Sequence, residues 1–253
     1  LTNDIRNFAK EKKIEIESLN IREEYRREFL GNISHELKTP LFTVQGYLDT
    51  LIEGGAIKDK TLRVKYIERA SKGVERLISI VQDLDMISKF EVGDLNLDID
   101  KFDIITEIQN VFDLLEMKAD AKNIILMFDE KYISPIQVYA DKDKIQQVLT
   151  NLVMNSIKYG KENGTTEISV EKINKNKVLV RIQDNGEGIE QQHLSRIFER
   201  FFRISKSGSR EEGGSGLGLA IVKHIIEAHN EKIFVQSTPQ KGSEFSFTLK
   251  TSK

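Results

Sequence analysis

The sequence contains no cysteine. That excludes disulfides, thiolate zinc sites and cysteine nucleophiles. No apolar stretch approaches the roughly 18–20 residues needed to span a bilayer, so no membrane contact is expected of this segment. Neither sign of charge dominates: 38 Lys and Arg stand against 40 Asp and Glu, a net charge of −2. Such a balance gives no electrostatic case for nucleic acid as a partner. There is no internal repeat. The chain begins at Leu1 with neither methionine nor signal peptide, as a fragment of something longer would. What is present is 253 residues, 39% hydrophobic and 31% charged, a globular composition with room for two domains.

The first third is helical and mostly charged. Leu30, Ile33, Leu37, Leu41 and Val44 recur three and four apart, the spacing of an amphipathic helix. At 3.6 residues per turn, His35 points roughly 160° from the middle of that stripe. It therefore faces water or a partner, beside Glu36 and one turn before Thr39. A solvent-facing imidazole next to a carboxylate suggests a nucleophile or general base. Pro40 removes a backbone hydrogen bond and clashes with the Glu36 carbonyl, so a bend is expected beside His35. Glu53-Gly54-Gly55 should stop this helix. A second helix carries Ile67, Ala70, Val74, Leu77, Val81 and Leu84 at heptad spacing. One hairpin cannot bury both stripes; pairing two hairpins into a four-helix bundle can, which predicts a homodimer through residues 25–90.

The pattern changes near Phe90–Gly93, the expected domain junction. Leu95, Leu97 and Ile99 alternate as in a strand, and helices are expected at 103–120 and 142–159. Strand candidates are 124–128, 136–140, 166–173, 177–183, 231–237 and 244–250, with a hairpin turn at Asn174–Lys177. Helices mixed with antiparallel strands predict an α+β sandwich.

Three motifs in this half suggest a nucleotide pocket. Asp184-Asn-Gly186-Glu-Gly188-Ile189 follows a strand, with glycines that permit close backbone approach and a carboxylate able to accept from the exocyclic amine of adenine. Gly213-Gly214-Ser-Gly216-Leu217-Gly218-Leu219 opens a helix, a ready phosphate site without the ending of a P-loop. Asn151, Asn155 and Tyr159 recur every four residues, with Lys158 beside them on one helix face. An Asn155 carbonyl oxygen suits magnesium, and Lys158 can offset phosphate charge. Residues 204–213 are polar and rich in Gly and Ser, as a lid would be, with Arg203 and Lys206 as candidate cations. His193, His224 and His229 lie outside these motifs and read as structural or surface residues.

Together the motifs resemble the catalytic region of bacterial sensor histidine kinases. Ser34–Pro40 is similar to the phosphoacceptor box, Asn151–Tyr159 to the asparagine box, and Asp184–Gly188 and Gly214–Gly218 to the two glycine boxes. Phe198–Arg203 is similar to the phenylalanine box, and residues 35–47 resemble phosphate-regulon-type sensors. The resemblance implies a signalling helix at 1–24, a dimerisation and phosphotransfer domain at 25–92, and a Bergerat-type ATP-binding sandwich at 93–253. It implies autophosphorylation of His35 by ATP with Mg²⁺, Glu36 as base, and transfer to an aspartate of a response regulator receiver domain. It assigns Thr39 to the reverse phosphatase activity, and Asn151, Ile189, Arg203 and Leu217 to the nucleotide site with the residues above. It also implies the cytoplasmic portion of a protein anchored in the bacterial inner membrane. Two alternatives stay open: an ATPase of the wider Bergerat fold, or a nucleotide-binding dimer scaffold without kinase activity.

Overall fold

The computed structural model describes residues 2–92, 96–204 and 214–251. They form two compact units, Leu1–Leu84 and Asp85–Lys253. The first is a helical hairpin: α1 (Thr2–Ile52), a 3-10 turn (Ala56–Lys58) and α2 (Lys60–Val92), whose residues from Asp85 belong to the second unit. α1 ends where expected, with Gly55 at φ +69°.

Each helix carries two apolar seams. On α1, Ile33, Leu37, Pro40, Val44, Tyr47 and Leu51 step by four and three and turn inward. Ala70, Gly73, Leu77, Ile80 and Leu84 do the same on α2. The helices touch along this line: Tyr47 and Tyr66 stack at 5.4 Å, and a Cβ on Gly73 would lie 2.5 Å from Val44 Cγ2. A second seam lies roughly 75° round α1 and stays exposed. It comprises Leu30, Leu41, Leu48 and Ile52 on α1, with Ile67, Val74, Ile78 and Val81 on α2. The single stripes expected from the sequence therefore divide. Ala70, Leu77 and Leu84 hold the hairpin together, whereas Ile67, Val74 and Val81 are left uncovered.

The bend expected at Pro40 does not break α1, which runs on as one element. An interior proline costs a helix about 3 kcal/mol or more. Here Pro40 is buried at the crossing with Gly73, where a side chain is missing from the facing helix, and that packing offsets the loss.

The second unit runs β1 (Ile99–Asp103), α3 (Ile104–Asp120), β2 (Ile125–Phe128), β3 (Gln137–Asp141), α4 (Lys142–Tyr159), β4 (Thr165–Asn174), β5 (Lys177–Asp184), α5 (Gln191–Leu194), α6 (Gly218–Ala228), β6 (Ile233–Thr238) and β7 (Gly242–Thr251). The sheet order is β1-β3-β7-β5-β4-β2, with β6 also on β7. Alternation decides its faces. Ile168, Val170, Val178, Val180, Ile182, Phe247 and Leu249 are buried, while Arg181 on the other face reaches Glu171 (2.6 Å) and Glu244 (3.8 Å). α3, α4 and α6 supply the other half of the core through residues such as Ile108, Leu149 and Ile221.

Two strand expectations need correction. β1 begins at Ile99, so Leu97 precedes the strand, and Leu95 lies outside the described residues. The cause is its partner: Ile99 pairs with Asp141, the last residue of β3, so no ladder exists for earlier residues. The sheet is also not wholly antiparallel, because β2 pairs with β4 in parallel.

α4 is held at both ends. Asp141 caps its start, accepting from Lys144 N at 3.1 Å, and the Asp141 amide donates to Nε2 of buried His229 at 3.0 Å. The other ring nitrogen, Nδ1, therefore carries the proton and donates to the Ile225 carbonyl at 2.8 Å. His229 thus ties the end of α6 to the start of α4. At the far end, Lys122 Nζ donates to the Lys158 carbonyl at 2.7 Å, a cation at the negative helix terminus.

Candidate functional site

The second unit contains a cavity of about 640 Å³ between α4, the end of β5 and the start of β7. Asn155, Lys158 and Tyr159 reach it from one face of α4, one helical turn or less apart. Asp184, Gly188 and Ile189 close the opposite side, and Arg203 lines the rim.

Asp184 ends β5 with its Oδ1 fixed. That oxygen accepts from Gly186 N at 2.8 Å and from Ser243 N at 3.2 Å. Oδ2 is left for a ligand. Gly188 adopts φ +68°, and a Cβ there would lie 2.1 Å from the Thr238 carbonyl, so only glycine lets these backbones meet. Ile189 N donates to Ser237 Oγ at 2.8 Å, which ties this loop to β6.

The remaining sequence-predicted residues surround the cavity without lining it. Gly186 packs behind Asp184, against the Tyr159 carbonyl. Gly214 sits beside Lys158, whose Nζ would be 2.7 Å from a Cβ at that position, and Gly218 faces the Asn151 amide. The second glycine motif therefore lies at the Asn151–Lys158 end of α4. Gly216 packs on the backbone of Phe201. The Leu217 side chain is fully buried, so its share in any ligand contact runs through backbone. The lid expected at 204–213, with Lys206, falls outside the described residues except for Ile204.

The lining also includes Leu219 at the end of the second glycine motif, and residues with no motif to mark them: Lys122, Ile197, Ser243 and Phe245. Their only sequence signal is alternation or helical spacing, which marks core positions equally well. Phe202, within the segment similar to the phenylalanine box, also lines the cavity. Phe198 does pack, its ring meeting Phe245 edge-on at 6.4 Å. His193 and His224 line no part of it; His224 stacks on Phe90 at 5.1 Å.

In the first unit His35 is exposed, as its helical phase requires. Glu36 turns toward α2 and accepts from Arg76 NH2 at 3.1 Å. The Thr39 hydroxyl donates to the His35 carbonyl at 3.3 Å.

Two family models match the chain. One is the His Kinase A (phospho-acceptor) domain, over residues 25–93; the other is the Histidine kinase-, DNA gyrase B-, and HSP90-like ATPase, over residues 140–253. The isolated catalytic domain of histidine kinase ThkA is 32% identical with a TM-score of 0.52, over 60% of this chain and 95% of that one. The chain belongs to the sensor histidine kinases. Within the family, sensor histidine kinase WalK of Bacillus subtilis (strain 168) is 35% identical over 88% of this chain and 36% of its own length. This chain thus spans about a third of that relative. Acinetobacter baumannii histidine kinase AdeS matches with a TM-score of 0.69 at 28% identity, over 87% of this chain and 98% of that one. ThkA in complex with response regulator protein TrrA matches with a TM-score of 0.68 at 26% identity, over 89% and 61% of the respective chains.

Electrostatics at this histidine kinase's cavity centre on Asp184. Burial pushes its carboxyl above the ordinary value of 3.8, and the Gly186 and Ser243 amides pull the other way. A raised acid favours its protonated form in the fold. That contribution is complete below the unfolded value and is lost as pH rises through the folded one. Ligand binding runs oppositely, since a protonated Oδ2 would meet an amine donor with a donor. Nucleotide affinity is expected to fall on acidification, beginning above pH 3.8. Calorimetric titration of ADP from neutral pH down toward 3.8, native chain against Asp184→Asn, checks this; the same pH dependence in both would contradict it.

Among the described residues no cluster of three His, Cys, Asp or Glu could hold a metal. No described helix is long and apolar enough to cross a membrane.

Proposed function

We propose that the chain moves the γ-phosphoryl group of ATP to His35 and then to an aspartate of a response regulator. The observation that carries this is a pairing. An exposed histidine lies within the phosphoacceptor-type hairpin, and the following unit holds a cavity with a half-buried acceptor at one end and amide and amine groups at the other.

Adenine would lie with its exocyclic amine on Asp184, while the Tyr159 ring, 45% exposed beside Lys158, offers a surface for base or ribose. The phosphates would run toward Lys158, Gly214 and Gly218, where a cation and the start of α6 meet. Asn155 fits a magnesium ion: its carbonyl is a hard neutral oxygen of the kind that joins phosphate oxygens around such an ion. The ion would neutralise phosphate charge there.

In the transfer, an unprotonated ring nitrogen of His35 forms the N–P bond as the bond from phosphorus to the departing ADP oxygen breaks. The proton on the other nitrogen passes to Glu36. Thr39 would align water for the reverse activity, releasing its present bond to the His35 carbonyl. That ThkA is solved with a response regulator supports a receiver domain as the acceptor. The exposed seams of α1 and α2 support a homodimer, with residues 25–92 and 93–253 as its phosphotransfer and ATP-binding parts. Family membership also supports placing this segment on the cytoplasmic side of a membrane-anchored sensor.

Incubation with γ-labelled ATP and magnesium tests the reading. Native chain should acquire label that survives alkali and is released by acid. His35→Gln should acquire none while still binding ADP, and Asn155→Ala should lose the label through the nucleotide site. ATP bound or hydrolysed without labelled histidine would favour an ATPase of the wider fold.

A further inference from the structure

Glu36 does not hang free beside His35. Arg76, forty residues away on α2, donates to its Oε2 at 3.1 Å, with the two side chains 30% and 17% exposed. The other described ion pairs of this hairpin differ in kind. Lys12–Glu15, Arg27–Glu23 and Lys89–Asp85 join neighbours on one helix, and every partner is more than half exposed. Such surface pairs contribute little. A partly buried pair across two helices is less screened and fixes geometry.

Its position has chemical consequences. An unpaired carboxylate one residue from the acceptor would repel the incoming polyphosphate. A freely rotating one would also spend little time near the imidazole. We propose that Arg76 is the positioning residue of the phosphoacceptor site, fixing Oε2 of Glu36 against α2 so that Oε1 serves the imidazole, and offsetting the charge of Glu36. The inference rests on the kinase reading above, with Glu36 as base. During transfer the imidazole proton goes to Oε1, and ADP leaves with the bridging oxygen.

The experiment compares initial rates of His35 labelling at saturating ATP in native chain, Arg76→Met and Arg76→Lys. ADP affinity and thermal melting are measured on each. Positioned bases contribute on the order of a hundred- to ten-thousandfold, so Arg76→Met is expected to slow labelling roughly tenfold or more. ADP affinity should not change. Arg76→Lys should recover most of the rate, because the contact is one N–H to one oxygen and not a bidentate fork. Arg76→Met within twofold of native would overturn the proposal, as would a loss matched by an equal loss of folded protein in both variants. Absence of label on the native chain itself would instead remove the kinase reading, and the role of Arg76 with it.

Discussion

Replacing Asp184 by asparagine is expected to weaken nucleotide binding about a hundredfold while the unit stays folded. The Asp184 Oδ1 accepts two backbone N–H groups, from Gly186 and Ser243. An asparagine must keep its carbonyl oxygen on those donors, which turns its NH₂ toward the cavity. There it meets the exocyclic amine of adenine donor to donor. Losing one bond to a charged acceptor and leaving a donor unpaired costs about 3 kcal/mol, which is the hundredfold. The fold loses little, since both backbone bonds survive and a half-buried charge disappears. Calorimetry with ADP and a thermal melt separate the two effects. Affinity within threefold of native would mean that Asp184 does not read the base.

Replacing Val81 by aspartate is expected to break the proposed homodimer into monomers. Val81 is 56% exposed on the outer seam of α2, in line with Ile67 and Val74. A bundle that covers this seam would bury the new carboxylate without a partner, at a cost of several kcal/mol for each copy. Sedimentation velocity reads the outcome, and an unchanged dimer would show that the seam lies outside the interface. Leu77→Asp is a poorer probe. Leu77 belongs to the inner seam, so its replacement also strips the hairpin of its own packing.

These two seams mark where sequence reading ran out. Apolar residues three and four apart located the helices and placed His35 on the exposed side. An arc of about 75° is too fine for a stripe of five residues to divide, and only the partner helix separates Ala70 from Ile67. In the second unit, strands β4, β5 and β7 were legible because a period of two with one buried face leaves alternation in the residues themselves. β1 was misplaced because its extent depends on where β3 stops, which is a property of another segment. The parallel pairing of β2 with β4 was likewise not local. At the site, Asp184, Asn155 and the glycines stood out because amides and glycines are unusual on helices and strand ends. Ser243 and Phe245 come from a strand 59 or more residues beyond Asp184 and look like any sheet residues. Arg76 was invisible for the same reason: nothing within α2 says that its partner is Glu36.

The buried ring of His229 is a spectroscopic handle that the fold provides. Its two nitrogens face different elements, Nε2 the first residue before α4 and Nδ1 the last turn of α6. One nitrogen is a bare acceptor and the other a shielded N–H, so their resonances are distinct and the proton is slow to exchange. α4 carries Asn155 and α6 follows the second glycine motif. The two signals therefore report on the start of α4 and the end of α6 without altering a residue of the cavity. His35, exposed on the hairpin, is the contrasting case among the four histidines. Its ring N–H exchanges with water, so the shielded proton of His229 is told apart from it by persistence.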